Sequence, residues 1–409
     1  MEFTIRQSVL KEVLGFIQGV VERKSTIPVL SNILVESLGE NSIRIVGTDL
    51  DVTIRCDAEA DIKKPGAMCI QARKIFDIVR TLEGGDVHFK KEDSEWVRMT
   101  AGRANFRLAG VNREQYPEIP ILKSAPLKLS AEIFNYFIQN TSFAITNEQS
   151  RFTLSGAKFM LSDGKARMVT TDGHRLAYVE KVLEAGSNPD ATMDALIPKK
   201  ALLELVKISR DADGDVSFGE DQNHIYFEVN GRLLITRKLS GTFPNYEMIM
   251  PKDKDKVVTF DLAEMKNAVR RISLMADERN RSIRMTVREG EVEITAQSSE
   301  EGEGTEVVPA DYQGEEIQLG FNWQYLQEFL NVAGGSQSAD AEAHASARAD
   351  SASDDNTVTE TTGNTVRVKE SNTKPRISFE FKDANAATQM RVADDSTYDY
   401  KYIVMPLRI

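Results

Sequence analysis

The chain has 409 residues, 41% hydrophobic and 28% charged, with a formal charge of −12 at neutral pH. That length suits about two to four globular domains, and the acidic balance excludes a surface coated in cations for DNA steering, leaving room only for a local basic stripe. Cys56 and Cys69 are its two cysteines and its four histidines are scattered, so neither a disulfide framework nor a Cys/His metal site is expected, and a reducing cytoplasm is. No apolar run reaches the roughly 18 residues of a membrane span, and MEFTIRQSVLKE at the start lacks the apolar core of a signal peptide.

The first predicted element is an amphipathic helix, QSVLKEVLGFIQGVV from Gln7, with Val9, Leu10, Val13, Leu14 and Ile17 on one face. A second helix, IQARKIFDIVRTLEGG from Ile70, precedes strands through DVHFKKEDSEWVRMTAGRANFRLAG and a closing QYPEIP from Gln115. The order then repeats. SAEIFNYFIQNTSFAI from Ser130, IPKKALLELVKISRDADG from Ile197, DVSFGEDQNHIYFEVNGRLLITRKL and TFPNYEMIMP from Thr242 make a second copy. LAEMKNAVRRISLMA from Leu262, GFNWQYLQEFLNVAGG from Gly320, RISFEFKDANAATQMRVA and KYIVMPLRI from Lys401 make a third. The sequence therefore reads as three copies of one α+β domain, each with two helices packed on antiparallel sheets, spanning 1–122, 127–251 and 256–409. PILKSAP and PKDKDK are the connectors. The third copy carries an insertion at about 335–374 without aromatic, Leu or Ile, which cannot bury enough apolar surface to offset its ordering and is expected to be disordered.

Basic positions line up across the copies. The offset that carries Ile70 to Ile197 also carries Arg73 to Lys200 and Arg80 to Lys207. Each basic pair sits at i, i+7 on one helical face. Lys199 and Arg210 extend the second stripe, and Arg270 with Arg271 places a basic pair on the first helix of the third copy. The opposite faces, Ile75, Phe76, Val79 and Leu82 in one helix and Leu202, Leu203 and Val206 in the other, are expected to pack on a sheet. Taken singly these are solvated helix faces; arranged round a centre they form a lining that contacts phosphates without reading bases.

The stretch TTDGHRLAYVE from Thr170 sets an aspartate, a histidine and an arginine on a tight turn. Asp172 and His174 would suit a hydrolase with Ser155 or Thr171 as nucleophile, yet no GxSxG elbow, P-loop or HExxH accompanies them. Turn chemistry accounts for the residues: Asp172 caps the backbone, Gly173 supplies positive φ and His174 begins a strand. TDLD, from Thr48 to Asp51, occupies the matching turn of the first copy.

TIPVLSNILVE from Thr26, TTDGHRLA, FPNYEMIMP and the C-terminal IVMPLRI each fall at their expected place in a three-domain chain. Together they closely resemble the bacterial DNA polymerase III beta subunit family, the sliding clamps, over nearly the whole chain apart from the insertion. The resemblance implies a head-to-tail homodimer closed into a ring around double-stranded DNA, with helices lining the hole and sheets outside. It implies neither catalysis nor a cofactor, but a cytoplasmic processivity factor for replication that tethers the DNA polymerase III alpha subunit and other clamp-motif proteins and is loaded by a clamp-loader ATPase. It implies a peptide-binding groove made by Leu154, Thr171, Gly173, His174, Arg175, Leu176, Pro244, Met248, Ile249, Asn322, Tyr325, Ile403, Met405, Pro406, Leu407 and Arg408, with apolar anchoring and with His174 and Arg175 as polar guides. Met248 departs from the pattern, since many clamps carry arginine there, and is read as an apolar wall. Lys24, Arg73 and Lys200 carry over as DNA contacts. Lys74, Arg103, Phe106, Leu108, Leu274 and Met275 carry over as the subunit interface. The competing reading is a cytosolic peptide-binding scaffold without DNA.

Overall fold

The structure, a computed structural model, describes residues 1–22, 26–123, 125–148, 150–184, 192–252, 254–298, 302–334, 374–393 and 395–408. Lys24 and all but the last residue of the 335–374 insertion lie outside the described residues. Contacts gather into two compact units. The first is Met1–Ile138, Ile145–Met168 and Val182–Phe243; the second is Gln139–Ala144, Val169–Lys181 and Pro244–Ile409.

Among the described residues the α-helices are α1 (Gln7–Ile17), α2 (Ala72–Val79), α3 (Ala131–Thr141), α4 (Lys199–Ser209), α5 (Leu262–Ile272) and α6 (Trp323–Val332). In α1 the buried residues Leu10, Val13, Leu14 and Ile17 repeat at helical spacing, and the Gln7 amide donates to Val79 O at 2.8 Å, tying α1 to the end of α2. Asp261 caps α5 by accepting from the Glu264 N–H at 2.9 Å, and Asn322 caps α6 by accepting from the Gln324 N–H at 2.9 Å. In α4 the buried face is Ala201, Leu202, Glu204, Leu205 and Ile208. Leu203, expected on that face, is instead 43% exposed: the helix is phased by the Ala201, Leu205 and Ile208 stripe, which turns Leu203 outward.

The first unit holds a five-stranded sheet in the order Asp61–Lys64, Glu2–Arg6, Asp86–Lys91, Val97–Ala101, Ala104–Leu108. It also holds a nine-stranded sheet, whose central join pairs Val52–Glu59 of the first copy with Arg232–Arg237 of the second, Ile54 opposite Leu234. This pairing is why the contacts gather in two units although the sequence repeats three times. The chain between the copies crosses the face of that sheet. Tyr116 packs on Leu34, Val46 and Cys69 and donates its hydroxyl to Val46 O at 3.0 Å, while Ile119 and Leu122 cover Tyr226, Leu233 and Ile235.

In the second unit Arg175–Val182 pairs with Asp399–Val404, followed by Thr388–Val392, Arg376–Phe381, Lys256–Asp261, Gly302–Asp311, Glu291–Ser298, Ser282–Arg288 and Ile317–Asn322. Phe260 and Phe321 both meet Phe379 edge-on in its core. Gly302–Asp311 bonds to Lys256–Asp261 only through Asp311 and Ala310. Residues 302–309 therefore present an unpaired edge among the described residues.

Candidate functional site

The Asp-Gly-His-Arg stretch is a turn held by its own side chains. Asp172 Oδ1 accepts the N–H groups of His174 and Arg175 at 3.0 and 3.1 Å, and Thr171 Oγ1 accepts the Gly173 N–H at 3.1 Å and donates to Arg175 O at 2.6 Å. Gly173 sits at φ 90°, a conformation glycine adopts without cost. The strand begins at Arg175, one residue later than expected. The Asp172 carboxylate is thus occupied by backbone and by Arg175, which leaves it unsuited to general-base work.

Arg175, expected as a polar guide for a ligand, is 8% exposed and its guanidinium is engaged internally. Its Nε donates to Asp172 Oδ2 at 3.0 Å, its Nη2 to Phe143 O at 2.7 Å, and its Nη1 pairs with Glu328 and approaches the Tyr402 hydroxyl at 3.5 Å. The Tyr325 ring lies 4.4 Å from the guanidinium carbon. Burial opposes the Arg175 charge, but Tyr402 and Glu328 together hold its pKa above the ordinary arginine value. Glu328, Tyr402 and Phe143 escaped the sequence reading. The repeat carried a signal for Glu328, because Glu204 holds the corresponding place in α4.

Around this hub the surface is apolar. Met248 is 81% exposed, and Ile249, Met405, Pro244 and Gly173 are exposed as well. The Tyr246 ring packs on Tyr178 at 6.0 Å, bringing the 246–249 turn onto the strand that follows Arg175. Met405 N–H donates to His174 O at 3.0 Å and Leu407 N–H to Gly320 O at 2.8 Å, so the C-terminal segment is fixed beside the turn and the start of α6. His174 is exposed and stacks on Tyr325, with ring centroids 6.5 Å apart. Burial raises the Tyr325 hydroxyl pKa. Asn322 spends its side chain on the α6 cap, while Pro406 and Leu407 are half-buried and Arg408 is exposed. Thr171, Leu176 and Ile403, named as groove residues, are 3%, 1% and 1% exposed. They underlie the surface as strand core, because these strands are buried on both faces, with residues 168–171, 175–179 and 402–404 each an unbroken buried run. Leu154 is 9% exposed and belongs to the first unit.

Of the expected DNA-facing cations, Lys199 is half-buried and the others described are exposed on their helices, where Arg73, Arg80, Lys200 and Lys207 carry internal counterions. Arg73 and Arg80 both pair with Asp77, at 3.7 and 3.2 Å. Lys207 pairs with Glu204 at 2.7 Å and Lys200 with Asp49. Lys199 donates to Asn147 at 3.1 Å, and Arg210 is exposed. On α5, Arg271 is held by Glu306 at 2.9 Å. Of the expected subunit contacts, Lys74 and Arg103 are exposed, Phe106 and Met275 are half-buried and Leu274 is 72% exposed. Leu108 is the exception: at 8% exposure it belongs to its own sheet's core.

Models of the N-terminal, central and C-terminal domains of the DNA polymerase III beta subunit match residues 1–120, 128–245 and 247–339, in that order. The chain belongs to the DNA polymerase III beta subunit family. It is 32% identical over 416 aligned residues to the beta sliding clamp of Pseudomonas aeruginosa and 29% identical over 417 to that of Caulobacter vibrioides, covering 100% of both chains in each case. Among solved structures it is similar to the DNA polymerase III subunit beta of Pseudomonas aeruginosa, with TM-score 0.84 and 28% identity. It is likewise similar to the Caulobacter crescentus beta sliding clamp, with TM-score 0.84 and 29% identity; both comparisons cover 100% of each chain. The three-copy architecture read from the sequence is that of the beta sliding clamps. The Arg175 hub and the exposed apolar turn lie where the central and C-terminal family domains meet in sequence and in hydrogen bonding.

Proposed function

We propose that this chain is a DNA sliding clamp: two copies close head to tail into a ring that encircles duplex DNA and tethers a replicative polymerase. Its three domains run over 1–122, 127–251 and 256–409. The observation that carries this reading is the match of all three family domains in order along a chain whose helices expose cations at matching repeat positions. Contacts from those cations would be sequence-independent. The family, the exposed apolar turn and the fixed C-terminal segment support a docking groove for short peptides of the DNA polymerase III alpha subunit, the clamp loader and other clamp-motif proteins. Met248, Ile249 and Met405 anchor them, and His174 is the polar guide. The protein works without a cofactor and without catalysis, on DNA in the cytoplasm.

The test is topological. Protein loaded on nicked circular DNA is released when the circle is linearised, because a ring slides off the ends. Retention on the linear molecule at the same salt would mean direct binding, and the sliding reading would fail.

A further inference from the structure

The first unit contains a crevice of the same design as the groove. Arg237 N–H donates to Asp51 O at 2.9 Å, as Met405 N–H does to His174 O at 3.0 Å; Leu239 N–H donates to Leu196 O at 3.0 Å, as Leu407 N–H does to Gly320 O at 2.8 Å. Thr236 lies opposite Val52 as Val404 lies opposite Arg175. Pro117 follows buried Tyr116 as Pro244 follows buried Phe243. Two cavities of about 340 and 540 Å³ open here, both lined by Asp51, Asn223 and Arg237.

Backbone is shared but side chains are not. Arg237 and Lys238 stand where the groove has Met405 and Pro406, and Lys200 stands where it has Gln324. Lys238 is paired with Glu220 and Lys200 with Asp49, whereas Arg237 is exposed and has no ion pair among the described residues. Leu50, 46% exposed, lines the smaller cavity and Phe152, 69% exposed, the larger. A planar guanidinium beside exposed apolar side chains matches a carboxylate next to an apolar residue. Asp51 and Glu118 share the cavity with Arg237, so a run of phosphates would meet two acids, while a single carboxylate meets one free cation.

We propose that this crevice, framed by Leu50, Asp51, Arg237 and Phe152, is a second peptide-docking site, taking an extended segment that bears a carboxylate side chain beside an apolar one. It rests on the groove reading above, because the frame is the same.

The experiment titrates full-length protein with two labelled peptides, Glu-Leu-Asp-Leu-Phe and its amide counterpart Gln-Leu-Asn-Leu-Phe, reading stoichiometry and affinity. The acidic peptide is expected to fill two sites per chain and the amide peptide one. Arg237→Glu should weaken only the second acidic site, by roughly tenfold or more, the scale of one charge-assisted hydrogen bond. Replacing residues 405–408 by Gly-Ser should remove only the first. One site per chain for the acidic peptide, a second site indifferent to Arg237→Glu, or a crevice that takes oligo(dT) in place of peptide would each overturn the proposal. Absence of amide-peptide binding, with an Arg237-dependent acidic site intact, would instead count against the groove.

Discussion

Leu50 and Gly173 occupy the same position in two copies of one turn, at φ 80° and 90°. The frame is identical: Asp49 Oδ1 accepts the N–H groups of Asp51 and Val52 at 3.0 and 2.7 Å, as Asp172 does for His174 and Arg175. A left-handed leucine costs about 1–2 kcal/mol, and Leu50 is half exposed, so its burial returns little. Leu50→Gly should raise the unfolding free energy read from a urea titration, by up to about 1 kcal/mol after the glycine's larger unfolded-state entropy is subtracted. A lower midpoint would show that the side chain packs against something worth more than the strain.

Buried Arg175 joins half-buried Asp172, Glu328 and Phe143 and buried Tyr402 in one cluster. Arg175→Met should cost about 2–4 kcal/mol, below the full penalty for a buried pair, because it leaves Asp172 and Glu328 without their cation while both stay partly exposed, at 14% and 29%. Adding Glu328→Gln should recover part of that loss, which a denaturation cycle on the four variants measures. Additive losses would place the two side chains in separate networks. In the first unit Val52 stands at the arginine position, and Glu204, at the place of Glu328, keeps a buried Oε2 without a hydrogen-bond partner among the described residues.

What could be read beforehand follows from the range of the forces. Helix faces were legible because Leu10, Val13, Leu14 and Ile17 declare a local period, and the turn at Asp172 was legible because its bonds span three residues. The internal bonds of Arg175 are not legible, because sequence shows charge and not burial; its partners lie 153 and 227 positions away. The join of Val52 to Thr236 is equally non-local. Leu203 reads as part of an apolar face with Leu202 and Val206, yet the stripe of α4 buries Glu204, with Lys207 as its counterion.

Cys56 and Cys69 are both free and buried. Burial pushes their thiols up to about 12 and about 11, so at pH 8 the thiolate share is roughly one in a thousand or less. Neither should react with Ellman's reagent in the folded protein, and both should react once it unfolds. Labelling at pH 8 within seconds without denaturant would contradict the burial.

Asp77 serves Arg73 and Arg80 together. These pairs are exposed and contribute little to stability, but they lower the charge offered to a duplex. Asp77→Asn should leave the melting temperature nearly unchanged and strengthen binding to a short linear duplex. The slope of log Kobs against log salt should steepen by about one, the value for one added phosphate contact. An unchanged slope would mean that the arginines do not reach the backbone of DNA.

Ring closure needs two complementary edges. Ala104–Leu108 ends its five-stranded sheet, and residues 302–309 carry no strand on their outer side among the described residues. Unpaired edges invite a partner strand, and Leu274, 72% exposed, projects beyond α5 in the unit that holds the second edge. Antiparallel addition of one protomer's first edge to its partner's second would bury Phe106 and Leu274 together. Leu274→Asp would then place a carboxylate in that contact at a cost of several kcal/mol, raising the dimer dissociation constant at least about a hundredfold. Leu274 is exposed in the single chain, so the variant should fold normally by circular dichroism while sedimenting as a monomer and failing to stay on circular DNA. A variant that sediments as a dimer would place the subunit contact elsewhere.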